Sequence, residues 1–229
     1  MSLAARVTGL LVAFAAVVAL VVFVAMHFIA AKPVVEDYTP YASGGQVTVV
    51  LQTDAQNTVT NKPGWVSYFI QDPQTKQWVH STYFEVPANT RVNMMIYQYD
   101  GCTPLRNPVW GQVTGTIGGV EYVNGTPTSV LNSWSECSVA HTFTMPALGI
   151  NVPLASPMTL KENQNLCSTS PCSPSDGPHN VVTFSFMTPA AGGTFRWQCI
   201  IPCGLGYLDG NGGPMATPGY MSGQMQVDA

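Results

Sequence analysis

The feature that most constrains this chain is the apolar run at residues 7–31, VTGLLVAFAAVVALVVFVAMHFIAA, in which His27 is the one titratable residue. A run of that length crosses a hydrocarbon core of about 30 Å as a single helix. The apolar region of a cleaved secretory leader spans only about 7–15 residues, so a retained transmembrane helix is the expected reading. Arg6 precedes the run and Lys32 follows it, which leaves little charge asymmetry to set the orientation. The shortness of residues 1–6 favours a small cytoplasmic N-terminus, with the folded part on the extracytoplasmic side of the cell membrane in a single-pass arrangement.

Beyond the run, Pro33, Pro40, Gly44 and Gly45 mark residues 32–45 as a linker, and the folded domain is expected over residues 46–229. Only 9% of the residues are charged, while 21 Gly and 18 Pro punctuate the chain, a balance suited to short strands joined by tight turns. Runs rich in β-branched and aromatic residues predict strands at residues 46–52, 65–70, 78–86, 91–97, 138–145, 181–187, 194–199 and 223–227. No helical periodicity of useful length follows the membrane run, and no internal repeat is visible. The predicted class is therefore an all-β sandwich with one N-terminal transmembrane helix.

The net charge of −4 is dispersed, and no Lys/Arg run exists to line up against phosphates, so nucleic acid is not an expected partner. The chain has no nucleophile–base–orienter pattern, no phosphate-cradling glycine loop and no zinc-type His/Cys cluster, and its acidic residues stand singly. Catalysis by this chain alone is not expected.

Six cysteines suit an oxidising compartment. Cys167 and Cys172 flank STSP in a polar stretch and read as the staple of a surface loop. Cys102 and Cys137 bracket a Gly- and Asn-rich segment and read as a pin across a long insertion. Cys199 and Cys203 stand apart in TFRWQCIIPCGLGY, beside an aromatic strand. His80, in WVHSTYF, reads as a surface or edge side chain, and His179, in SDGPHNVV, as a turn residue. Met225 reads as core filler, and Asn124-Gly125-Thr126 matches a glycosylation sequon, a short pattern that occurs often by chance.

Two stretches carry a family resemblance. FEVPANTRVNMMIYQYD at residues 84–100 resembles the cupredoxin pattern of a strand ending in Val-Pro, a small polar turn and an apolar return strand. VAHTFTMPALGINVP at residues 139–153, then TFRWQCIIPCGLGY at 194–207 and MSGQMQV at 221–227, are together similar to the copper-binding half of subunit II of heme-copper oxidases. The resemblance implies a cupredoxin-like Greek-key sandwich. It also implies a dinuclear copper (CuA) centre, in which His141 supplies an imidazole, Cys199 and Cys203 the bridging thiolates, Ile201 a backbone carbonyl and Met221 a thioether.

The chain departs from that pattern in several places. Tyr207 stands where the family has its second imidazole, no His follows it, and the insertion LDGNGGPMATPG brings Met215 in as a rival thioether. Tyrosine is neutral near pH 7, so it replaces imidazole poorly unless a metal lowers its pKa. Residues 101–136 are inserted between parts that lie close together in the family, which also commonly has two membrane helices, although a single-helix form exists. Three arrangements remain open: a mononuclear thiolate site of His141, one Cys and Met221 or Met215; a degenerate dinuclear site completed by Tyr207 or His179; and no metal, with Cys199 and Cys203 joined in a third disulfide. The resemblance accordingly implies either an electron-transfer subunit of a respiratory or other membrane redox complex, or a metal-free structural accessory subunit. Its partners would be the membrane, other subunits of such a complex, and a redox donor protein or a quinol-linked oxidase.

Overall fold

The computed structural model describes residues 2–26, 33–54, 65–104, 106–132, 136–157, 167, 169–175, 177–203 and 213–229. The chain divides into two units, Met1–Val34 and Val35–Ala229. In the first, helix α1 (Leu3–Val24) begins earlier than the apolar run, because Ser2 caps it by accepting a hydrogen bond from the Ala5 N–H at 3.3 Å. It is 22 residues long, its most apolar 18-residue stretch has a mean hydropathy of 2.9 and none of its residues is buried, so it is long and apolar enough to cross a membrane. Residues 27–31 of the expected span, His27 among them, lie outside the described residues.

The second unit is all-β, as the composition indicates. Thirteen strands are described: β1 (Val35–Asp37), β2 (Gln46–Asp54), β3 (Ser67–Gln71), β4 (Trp78–Val79), β5 (Tyr83–Pro87), β6 (Arg91–Gln98), β7 (Glu121–Val123), β8 (Thr126–Thr128), β9 (Val139–Met145), β10 (Ile150–Ala155), β11 (Asn180–Met187), β12 (Gly193–Gln198) and β13 (Ser222–Asp228). They form a six-stranded sheet in the order β1-β5-β13-β12-β9-β10 and a seven-stranded sheet in the order β4-β3-β2-β6-β11-β7-β8. Alternation decides which face of a strand is buried. In β6, RVNMMIYQ, the side chains of Val92, Met94 and Ile96 enter the core while Asn93, Met95 and Tyr97 are partly exposed. Those core residues meet Phe84, Phe143, Val152, Trp197 and Met225 of the other sheet in one apolar cluster.

Three expectations are corrected. The run at 78–86 is two strands in different sheets, because residues 80–82 make a corner: the Ser81 N–H donates to the Val79 carbonyl at 2.9 Å and the Thr82 hydroxyl donates to the Ser222 carbonyl at 2.7 Å. The stretch read as a linker carries β1, which pairs in parallel with β5 from Val35↔Tyr83 to Asp37↔Glu85. The stretch at 101–136, in which no strand is expected from the sequence, holds β7 and β8, and INVP lies in the unexpected strand β10.

β10 is the outer strand of the six-stranded sheet, and the 101–136 segment closes over it. Thr114 and Asn151 exchange backbone hydrogen bonds at 2.8 and 3.1 Å, and the Asn151 side-chain amide donates to the Gln112 carbonyl at 2.7 Å. Gly115 has φ +72, and a Cβ there would lie 2.6 Å from the Gly149 carbonyl oxygen, so only glycine permits this approach. Residues Pro108–Gly111 form a short turn packed against both β9 and β10. Every residue of β9 is consequently buried, on both faces of its sheet. The ends of this segment are joined by the Cys102–Cys137 disulfide, and a second disulfide joins Cys167 to Cys172.

Candidate metal centre

His141 lies in the middle of β9, opposite Leu154 of β10. The pairing of Gln198 with Thr144 joins β12 to β9. Cys199, the residue after β12, is thereby carried against the strand that bears His141, and the Thr142 N–H points at the Cys199 sulfur at 3.4 Å. The Ile200 N–H donates to the Thr142 hydroxyl at 3.0 Å, which holds the chain as it leaves β12. The short loop then folds back, bringing the Cys203 sulfur to 3.2 Å from that of Cys199.

The two sulfurs are unbonded, so the third disulfide considered from the sequence does not form here. His141 Nδ1 lies 3.1 Å from the Cys203 sulfur and 3.9 Å from the Cys199 sulfur. The ligand atoms of His141, Cys199 and Cys203 all fall within 4.8 Å of one another, and the three residues are buried. The Ile201 carbonyl lies 2.8 Å from the Cys203 sulfur and 3.5 Å from the Cys199 sulfur.

The two methionines differ in how they meet this group. The Met215 thioether accepts from the Cys203 N–H at 3.3 Å and so sits beside the thiol loop. It belongs to the four-residue helix α2 (Gly213–Ala216). Met221 is fully buried, and its backbone carbonyl accepts from the Cys199 N–H at 2.8 Å, tying the start of the thiol loop to the residue before β13. Tyr207 lies outside the described residues. His179 is elsewhere: its ring packs on Tyr99 and Tyr97 at centroid distances of 5.0 and 5.8 Å, and its Nδ1 is 3.2 Å from the Gly177 carbonyl. It does not complete the group. His80 is half-buried between Phe69 and Tyr220, more enclosed than the edge position expected of it. Met225 is in the core, and both side-chain ends of Asn124 are held by hydrogen bonds, to Asn180 and the Val181 N–H.

A residue that the sequence did not single out completes the arrangement. Asp100, buried just after β6, places Oδ2 at 2.8 Å from His141 Nε2, on the side of the ring away from the sulfurs. Burial disfavours the imidazolium, but the hydrogen bonds to Asp100 and Cys199 outweigh it and hold the His141 pKa up at about 9. Burial likewise opposes charge on both thiols. Hydrogen bonds from Cys203 and His141 nevertheless pull the Cys199 thiol well down, and the charge on Cys199 adds to burial in pushing Cys203 well up. Of the two sulfurs, Cys199 is therefore the one favoured to carry negative charge, beside His141 and its partner Asp100.

Aromatic rings share the core cluster with the two thiols. Tyr68, fully buried, donates its hydroxyl to the Thr142 carbonyl at 3.0 Å and meets the Trp197 ring edge-on at 5.0 Å; Trp197 stacks on Phe143 at 4.8 Å. Two surface depressions of about 430 and 530 Å³ lie elsewhere, lined by residues such as Tyr38 and Lys76 or Ile117 and Tyr122. Two soft sulfurs, an imidazole, a thioether and a carbonyl are the donor types that suit copper and pass it between oxidation states. The residues present fit that metal.

No protein-family model and no curated protein sequence matches the chain. Among solved structures it is similar to rusticyanins. A histidine-to-methionine variant of rusticyanin is 16% identical over 86% of this chain and 86% of that one, with a TM-score of 0.34. Rusticyanin from Thiobacillus ferrooxidans is 15% identical over 86% and 85%, with a TM-score of 0.32. Reduced rusticyanin is 15% identical over 82% of each, with a TM-score of 0.31.

Proposed function

We propose that this chain is a membrane-anchored, cupredoxin-like electron-transfer protein whose metal is copper held by His141, Cys199 and Cys203. The observation that carries this reading is the buried, unbonded pair of thiols facing one imidazole nitrogen inside a rigid sandwich. Met215 supplies a thioether from beside Cys203, and the Ile201 carbonyl faces both sulfurs. Copper bound there would accept and release one electron at a time. The chain's own part is to keep the donors fixed: Thr142 anchors the start of the loop, the Met221 carbonyl ties it to β13, and the stacked Phe143 and Trp197 share the buried core with both thiols. Little rearrangement then accompanies a change of charge, which is what rapid electron transfer requires.

Helix α1 would hold the domain at the outer face of the cell membrane as a single-pass anchor. The motif likeness to oxidase subunit II supports a place in a respiratory or related membrane redox complex, with electrons arriving from a redox protein or a quinol-linked partner. The test uses the full chain in detergent micelles, reduced, loaded with copper and freed of excess metal. Bound copper with a strong thiolate-to-copper absorption band is the expected result, and the hyperfine pattern of its electron spin resonance spectrum counts the ions. Failure of the reduced protein to retain copper, with a Cys199–Cys203 disulfide found by mass spectrometry on reoxidation, would overturn the reading.

A further inference from the structure

We infer that Asp100 is the positioning residue of the metal centre: it fixes the His141 ring so that Nδ1 is presented to the two sulfurs, and its charge lowers the reduction potential of the site. This rests on the copper reading above but concerns a residue outside the ligand set. A carboxylate accepts hydrogen bonds and cannot donate, so the 2.8 Å contact requires His141 Nε2 to carry the proton. In the neutral ring, the lone pair then belongs to Nδ1, the nitrogen 3.1 Å from the Cys203 sulfur. Without Asp100 either tautomer is open and the ring loses the hydrogen bond that holds it at Nε2.

Asp100 is itself held through both its carboxylate and its backbone. Its Oδ1 accepts from the Gly101 N–H at 2.7 Å, and the backbone carbonyl of Asp100 accepts from the Gln98 side-chain amide at 3.0 Å and the Ser156 hydroxyl at 3.3 Å. Two residues on, Cys102 is bonded to Cys137, four residues before His141, and the Thr103 N–H donates to the Val139 carbonyl at 3.0 Å. The disulfide thus staples the segment bearing the carboxylate to the strand bearing the imidazole. A negative charge fixed behind the ring stabilises the more positive oxidation state of a metal in front of it, and it raises the basicity of the ligand nitrogen.

The pair Asp100→Asn and Asp100→Ala separates orientation from charge. Asparagine keeps an acceptor for the Nε2 proton without the charge; alanine removes both. In the full chain in detergent, Asp100→Asn should retain copper within a few-fold of the unmodified protein and show a raised reduction potential. Asp100→Ala should bind copper about 10–100-fold more weakly, with an altered thiolate-to-copper band. In the reduced, metal-free protein, the ring Nε2–H resonance of His141 should persist in the asparagine variant and vanish in the alanine variant. An unmoved potential in Asp100→Asn together with unchanged affinity in Asp100→Ala overturns the inference while leaving the copper reading intact. Absence of copper from the unmodified protein overturns both. If Asp100→Ala fails to fold, the potential and resonance of Asp100→Asn decide alone.

Discussion

Two pairs of cysteines in this molecule are separated by nearly the same length of chain and have opposite fates. Cys167 and Cys172, five residues apart, are bonded to each other. Cys199 and Cys203, four apart, lie with their sulfurs in contact and remain thiols. Spacing does not decide between these outcomes; surroundings do. The first pair packs in a small satellite cluster with Tyr99 and Tyr97. The second faces His141, the Ile201 carbonyl and the Thr142 N–H inside the main core, where polar atoms converge on sulfur. A pair that is only a staple needs none of those neighbours.

The sharpest way to break this contrast is to remove one thiol. Cys199→Ser or Cys203→Ser should abolish the thiolate-to-copper band and weaken copper retention by more than about 100-fold, beyond the loss expected for an outer partner; chelator competition measures it. Retention by both variants would place the metal elsewhere. Thiol counting tests the same division directly: two should react in the unfolded, unreduced chain and six after reduction.

The bonded pairs should differ from each other by loop length. Replacing Cys102 and Cys137 by Ser opens a loop of sequence separation 35 and should cost about 4 kcal/mol of stability, against about 2 kcal/mol for the same change at Cys167 and Cys172. Denaturant unfolding gives both figures, and equal costs would show that loop entropy does not govern them. The Cys102–Cys137 variant alone should also weaken copper binding, since that bond holds Asp100 to the strand of His141.

The smallest effect concerns Glu121, which sits inside the loop that Cys102–Cys137 closes. Neither of its carboxylate oxygens has a hydrogen-bond partner among the described residues, and burial pushes its pKa from 4.5 up to about 9. The folded chain therefore keeps a proton that the unfolded chain releases. Its contribution to stability is fullest below pH 4.5 and is lost as the pH rises through the window to about 9. Glu121→Gln should flatten that slope and raise stability at about pH 8 by about 1–3 kcal/mol, read by chemical unfolding across pH. An undiminished slope in the variant would point to other groups.

How far the sequence reveals the fold and the site depends on distance along the chain. Alternation in stretches such as RVNMMIYQ and NVVTFSFM is a local signal, and β6 and β11 fall where it predicts them. His141, Cys199 and Cys203 are legible because a motif with fixed spacing carries them, and the structure brings those three together. The corner at residues 80–82 is not, since it depends on a hydrogen bond from Thr82 to Ser222, far along the chain. Asp100 reads locally as the acidic residue of an Asp-Gly turn. Its meaning lies in a histidine 41 residues away, and no periodicity reports that meeting. His179 shows the converse: its residue type suits the site, but the fold delivers it to Tyr99 and Tyr97 instead.

The closure of the 101–136 segment over β10 also bears on how copies of the chain meet. An outer strand normally presents a free row of amide and carbonyl groups, onto which a strand from another molecule can add. At Asn151 both backbone groups are already taken by Thr114, and the side chain claims the carbonyl of Gln112 as well. If helix α1 anchors the chain as proposed, copies confined to one plane would meet one another far more often than molecules free in three dimensions. For such a population, a border already paired at Asn151 would offer neighbours less of a seam along which to add strands.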